Sequence, residues 1–237
     1  MTPMAWDTER TKALLLEAAT SEFCTRGLAG ARIDRIAAEA GVNKERIYQY
    51  FGNKNALFDT VIVTALSSLM DEVPIEGKGP EAMADYAGRL FDHHQKDATA
   101  PRLLFWEGLE RGAEVVGLPK RMANCASKVN STIAALPGVS REDAGDLLIT
   151  IVSLCDAAPV LPALDGLMAG NDPGRAERRR AAVVRTVYLA ASALAAEADA
   201  SARAGTRAGT RSNAVSETEA ESEAPAERAQ ETSRGLA

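Results

Sequence analysis

Between Cys24 and Lys54 the chain concentrates side chains suited to gripping phosphate and reading base edges. Six basic residues (Arg26, Arg32, Arg35, Lys44, Arg46, Lys54) stand there against three acidic ones (Asp34, Glu39, Glu45). The 237-residue chain as a whole holds 27 basic and 33 acidic residues, a net charge of −6. Taken alone, that acidic balance argues against a nucleic-acid partner. It is an average, and the basic island inside it can still bind a polyanion. Lysine and arginine reach phosphates or guanine edges, and glutamine can make paired hydrogen bonds to adenine. Tyrosine hydroxyls donate to phosphate oxygens without adding charge. Lys54 falls in the first turn of an expected helix, where free backbone N–H groups and the helix dipole already favour an anion. Residue chemistry therefore makes Lys44, Arg46, Tyr48, Gln49, Tyr50 and Lys54 candidate DNA contacts, and Arg32 and Asn43 beside them are counted with the set.

Other reactive residue types are sparse. His93 and His94 are adjacent, so on a helix they point about 100° apart and cannot chelate one metal. One of them is a candidate pocket liner. Cys24, Cys125 and Cys155 are odd in number and lack CxxC spacing. They are expected as buried small hydrophobes, not as a zinc site or disulfide framework. No nucleophile–base spacing and no phosphate-cradling glycine loop occurs. No catalytic residue, metal or cofactor is expected, and the chain reads as a non-enzyme. Phe91, Phe105, Trp106, Met122 and Asn130 are candidate walls of a small-molecule pocket, competing with plain core packing. The Arg178-Arg179-Arg180 run reads as the solvated side of a helix.

The elements that must position these residues are all helical. Apolar residues recur at spacings of three and four. Leu15, Ala19 and Phe23 line a first helix ended by Gly27. Ile33, Ile36, Ala37 and Ala40 mark a short second one ended by Gly41. A third runs from about Lys44 to Phe51 with Asn43 as its cap. A fourth, capped by Asn53, carries Leu57, Phe58, Val61 and Ile62. Ile36, Ala37, Val42 and Ile47 can form the small core between helices two and three, the layout of a helix-turn-helix. Alternating aromatics cannot share one helix face, so Tyr48 or Tyr50 should reach the surface while Phe51 packs inside. Five further helices are expected at about 80–95, 101–112, 119–135, 140–163 and 173–197. Residues 199–237 contain no aromatic side chain and only Val215 and Leu236 as large aliphatics, and are expected to be a disordered tail. No run reaches the roughly 18 apolar residues of a membrane span. The N-terminus lacks a signal-peptide core, so a cytoplasmic protein without a membrane partner is expected.

Gly27, the Ile36-Ala37 pair, Ala40-Gly41-Val42, Tyr48, Tyr50-Phe51 and Lys54 followed by Leu57-Phe58 resemble the DNA-binding domain of TetR-family (tetracycline-repressor-like) transcriptional regulators. The match covers residues 10–62. The resemblance implies an all-α fold with a three-helix DNA-binding domain at 8–55 and a helical ligand-binding and dimerisation domain at 56–198. It implies a homodimer on a double-stranded DNA operator, released when a small-molecule effector tilts helix four. The last two long helices would then make a four-helix interface. Leu147, Ile151, Leu154, Ala158, Val184, Tyr188, Ala191 and Ala195 are its candidates here. Two positions depart from the family pattern. Ala31 and Arg32 stand where members commonly carry threonines, so the usual hydroxyl cap of helix two is absent. Glu45 stands where a small residue is common, placing a carboxylate beside the groove.

Overall fold

The computed structural model describes residues 3–115 and 117–222, with side chains from 8 to 204 apart from 116. Among these residues every regular element is an α-helix. The first four are α1 (Pro3–Gly30), α2 (Ile33–Ala40), α3 (Glu45–Phe51) and α4 (Lys54–Glu72). Then follow α5 (Gly79–Lys96), α6 (Thr99–Arg111), α7 (Leu118–Ala135), α8 (Arg141–Val160), α9 (Pro162–Ala169) and α10 (Arg175–Ser222).

Two apolar clusters organise them. The first gathers Leu15, Ala19 and Phe23 of α1, Ile36 and Ala37 of α2, Ile47 of α3, and Leu57, Phe58, Val61 and Ile62 of α4. The Phe23 and Phe58 rings meet edge to face at 4.9 Å between centroids, a geometry favoured by the ring quadrupoles. Leu103 of α6 is buried in this cluster too, so the apolar core does not divide at residue 55. The second cluster packs α5 against α8 and α10 through Met83, Ala87, Leu90, Phe91, Ile151, Val183, Val187 and Ala191.

Local signals explain several helix ends. Gly41 closes α2 in the left-handed conformation at φ 65°, which glycine adopts without steric cost. Asn53 caps α4 by accepting from Ala56 N–H at 2.9 Å. Ser140 caps α8, its Oγ accepting from Asp143 N–H at 3.0 Å. The aspartate is too short to complete a reciprocal capping box, and instead accepts from the Ser140 hydroxyl at 2.6 Å.

Five details differ from the sequence expectations. Asn43 does not cap α3 through its side chain; Lys44 occupies the cap position. By contrast, the start of α2 agrees: Arg32 precedes it without a side-chain cap, as the missing hydroxyl implied. The helix expected over 140–163 breaks at Leu161, and α9 leaves α8 at 90°. Pro162 cannot donate into a continued helix, so the chain restarts with proline in the first turn of α9. The helix expected from about 173 begins instead at Arg175, and just before it the Asp172 carboxylate accepts from Gly174 N–H at 3.1 Å. The last helix then runs through the expected boundary at 198 to Ser222, carried by alanine and arginine, both strong helix formers. The tail's disorder from 223 to 237 lies outside the described residues. The segment Arg175–Ala204 has the length and mean hydropathy of a membrane span, a property the residue-by-residue count missed; its Val183, Val187 and Ala191 are packed into the second cluster.

Candidate nucleic-acid interface and inner cavity

The α2–α3 unit starts from a buried acid. Glu22 of α1 is only 7% exposed. Its Oε1 accepts from Arg32 N–H at 3.0 Å and from Arg35 Nε at 2.8 Å. Arg26 approaches its other oxygen at 3.5 Å. Burial alone would raise the Glu22 pKa, but the bonds from Arg35 and the Arg32 backbone win and lower it. The carboxylate thus holds the backbone N–H just before α2 and fixes that helix to α1, while the hydroxyl cap itself stays absent.

On this support α3 buries Ile47 and turns Glu45, Arg46, Tyr48 and Gln49 outward. Tyr48 is 52% exposed, whereas Tyr50 is half-buried with Lys12 and Arg46 over its ring at 5.7 and 6.0 Å. Phe51 is half-buried against the first cluster. Arg32, Asn43 and Lys44 are exposed as well. Several of these groups hold one another. Lys44 Nζ donates to Asp34 Oδ1 at 3.0 Å, which raises the lysine pKa. Arg46 Nη1 donates to Gln49 Oε1 at 2.9 Å. Lys54, at the start of α4, donates to Ala31 carbonyl oxygen at 3.2 Å. The eight sequence candidates therefore fall on or around one helix-turn-helix. Glu22, which orients them, was missed, since an isolated glutamate in a helical pattern gives no sign of burial.

The pocket candidates do not converge. A cavity of about 190 Å³ lies among α4, α5, α6, α7 and α8, and none of the five lines it. Phe91 is core, Phe105 and Met122 are exposed, and Asn130 is exposed and accepts from Arg141. Trp106 leans on α1, donating to the Cys24 carbonyl at 3.3 Å. The cavity instead takes Leu69 of α4 and Val73 just past its end, Tyr86, Leu90 and His94 of α5, and Leu104 of α6. Tyr86, Leu90 and His94 recur every four residues, so they share one helix face. That pattern was readable, but nothing in it told cavity from core.

Polar side chains at the cavity are largely engaged with protein. Arg121 donates to both oxygens of buried Glu107 at 2.8 Å. Lys128 bonds the Val73 carbonyl and sits 4.8 Å from the centre of the Tyr86 ring; burial lowers its pKa. His94 Nδ1 lies 3.0 Å from Asp156 Oδ1, yet neither atom, nor His94 Nε2, has a partner aligned for a hydrogen bond. Of the cysteines, Cys155 is buried and burial pushes its thiol up to about 12, while Cys24 is half-buried and pushed up to about 11. Cys125 is exposed at the cavity, not buried as expected, because α7 covers the body with few apolar side chains.

The interface candidates divide. Leu147, Ile151 and Ala191 are buried within the chain, because the apolar stripes of α8 and α10 face the second cluster. Leu154, Ala158, Val184 and Ala195 are half-buried, and Tyr188 is exposed beside a more exposed Leu189. The three consecutive arginines are tied down: Arg178 to Asp172, Arg179 to the Leu154 carbonyl and Arg180 to Asp92.

A short helix-turn-helix carrying an outward basic and tyrosine face, mounted on a larger helical body, defines a helix-turn-helix DNA-binding protein. Residues 15–61 match the family described as bacterial regulatory proteins, tetR family, and residues 82–188 match the tetracyclin repressor-like C-terminal domain. The HTH-type transcriptional repressor SCO4008 of Streptomyces coelicolor is 40% identical over 174 residues, 70% of this chain and 88% of that one. The crystal structure of SCO4942 from Streptomyces coelicolor superposes with a TM-score of 0.61 at 32% identity, covering 75% of this chain and 96% of the other. A TetR variant from Acinetobacter baumannii in complex with minocycline shares the fold at a TM-score of 0.50 and 14% identity, over 73% of this chain and 92% of that one. The chain belongs to the TetR family of transcriptional regulators, which are DNA-binding proteins and not enzymes.

Proposed function

We propose that this chain is a cytoplasmic, dimeric repressor that holds a near-palindromic operator with α3 and releases it when a small molecule occupies the inner cavity. The outward face of α3, with Arg46, Tyr48 and Gln49 exposed over buried Ile47, carries the DNA part of this reading. Two such helices in a dimer would enter successive major grooves about 34–36 Å apart. Lys44, Arg46 and Lys54 would exchange Asp34, Gln49 and the Ala31 carbonyl for phosphates or base edges. Asn43 and Arg32 stand beside them at the turn and before α2.

Exposed Leu189 and Tyr188 on α10, with half-buried Leu154, Ala158, Val184 and Ala195, supply the self-association surface. Leu66, Leu69 and Met70 line the cavity from α4, the helix that also carries Lys54. A molecule placed there bears on the DNA-reading head through one element. Its coupling free energy would be on the order of 1–3 kcal/mol. That a solved chain of the same fold holds minocycline supports a ligand in the body.

Fluorescence anisotropy with fragments of the upstream region tests the contacts. Lys54→Ala should weaken binding to all sequences alike, whereas Gln49→Ala should change sequence preference. Unaltered binding by both variants would overturn the assignment.

A further inference from the structure

Glu45 is the one acidic side chain of α3 and is exposed beside its basic neighbours. An α-helix turns by about 100° per residue. On α3 this puts Glu45 and Gln49 each about 160° from buried Ile47, one on either side of the outward pole. Arg46 and Tyr48 lie about 100° from Ile47, on the two flanks. A helix laid in the major groove turns its pole to the base edges and its flanks to the phosphates on either side. The pole of α3 is therefore a carboxylate next to a carboxamide. We propose that Glu45 is a specificity-determining residue that accepts a hydrogen bond from a cytosine amino group, fixing cytosine at one position of each operator half-site. The inference rests on reading α3 as the helix that enters the groove, and names what that helix selects.

The carboxylate is free for this role. Among the described residues no side-chain hydrogen bond or ion pair engages it, because the cations on either side are turned elsewhere. Lys44 Nζ donates to Asp34 Oδ1 at 3.0 Å, and Arg46 Nη1 donates to Gln49 Oε1 at 2.9 Å. Glu45 acts on Lys44 only through space. An unpaired carboxylate carried into the groove leaves water and meets phosphate repulsion, so its entry costs free energy. That cost is offset only where a base edge presents a donor. In the major groove the donors are the cytosine N4 and adenine N6 amino groups. Adenine sets its N7 acceptor beside the donor, and guanine and thymine present the acceptors O6 and O4. Cytosine is therefore the base that suits an ionised carboxylate. A carboxamide suits adenine instead, since it can donate to N7 while accepting from N6. The same negative charge works against sites that lack the cytosine. It sharpens a head whose Lys44, Arg46 and Lys54 would otherwise grip any phosphate backbone.

Selection of duplexes from a random-sequence pool by the full-length protein reads this preference. The unaltered chain should enrich cytosine at one position, repeated symmetrically in the two half-sites. Glu45→Ala should erase the preference at that position alone, and Glu45→Gln should move it to adenine. Anisotropy on the enriched duplex gives the size of the effect. Replacing that cytosine by thymine should cost the unaltered chain about ten-fold or more, and Glu45→Ala less than about two-fold. Affinity of Glu45→Ala for unrelated DNA should rise several-fold. Glu45 is exposed, and circular dichroism checks that each variant keeps the fold. The assignment fails if both variants enrich the same sequence as the unaltered chain, or if the position relaxed in Glu45→Ala holds another base. It fails too if both variants bind every sequence more tightly by one factor, which would make the carboxylate only a repeller of phosphate. If the unaltered chain enriches no sequence, the DNA-reading role of α3 falls and Glu45 with it. A consensus altered by Gln49→Ala but not by Glu45→Ala keeps that role and sinks Glu45 alone.

Discussion

Glu22 is buried as a carboxylate, with Arg35, Arg26 and the Arg32 backbone N–H around it. Its lowered pKa makes it a contributor to stability above its unfolded value of about 4.5. That contribution is lost as pH falls below this value and through the folded pKa, because the proton must then be taken up at the cost of these contacts. Glu22→Gln should therefore destabilise the chain by about 2 kcal/mol at neutral pH and flatten its acid limb below about pH 4.5. Urea denaturation across pH 3–7 measures both, and an unchanged acid limb would assign the acid sensitivity elsewhere. The placement of Lys54 at the start of α4 and of Tyr48 on the surface was legible from sequence because it follows from position on a local motif. Asp156 and His94 were not, since their significance arises only where α5 and α8 meet.

Among the elements, α6 joins the two halves of the molecule. Its first turns give Ala100, Pro101 and Leu104 to the cavity. Its last turns hold the DNA-reading head: Trp106 on the Cys24 carbonyl, Glu110 on Ala29 N–H at 2.9 Å, and Arg111 on Asp59 at 2.6 Å. Trp106 also packs against Gly27, where α1 departs from helical geometry at φ 66°. Trp106→Ala should cost about 3 kcal/mol, read as a shift in the urea midpoint. A loss below about 1 kcal/mol would show that the ring merely rests on the surface. Helix periodicity gave the positions of most elements, since three-and-four spacing is a property of the helix itself. It could not see the α8–α9 corner, because the apolar pattern of Leu161, Leu164, Leu167 and Met168 continues across the break. Nor could it tell a stripe buried inside the chain, such as Leu147 and Ile151, from one buried by a second copy.

At the scale of the molecule, an acidic body carries a basic head. Neutralising phosphates with Lys44, Arg46 and Lys54 should make operator affinity fall steeply with salt. Lys54→Ala should reduce the slope of log affinity against log salt by about 1. A slope equal to that of the unaltered chain would remove Lys54 from the phosphate contacts. Leu189 is 61% exposed on α10 beside Tyr188. Leu189→Glu should shift sedimentation from dimer to monomer and weaken operator binding, because a paired head engages two half-sites at once. A dimer that persists in this variant would move the interface off that face. The composition alone concealed this division of charge, which only the local count between Cys24 and Lys54 disclosed.

The contact at Gly27 also bears on how such proteins can be recombined. A Cβ there would collide with Glu110 Oε1 and stand 2.6 Å from the Trp106 ring. Head and body are thus not interchangeable cassettes cut between α3 and α4. A chimera that grafts this head onto a different sensing body should bring Trp106, Glu110 and Arg111 with it. Otherwise the transplanted α1 meets a surface not shaped for its bend, and the two modules, each sound alone, lose their shared orientation.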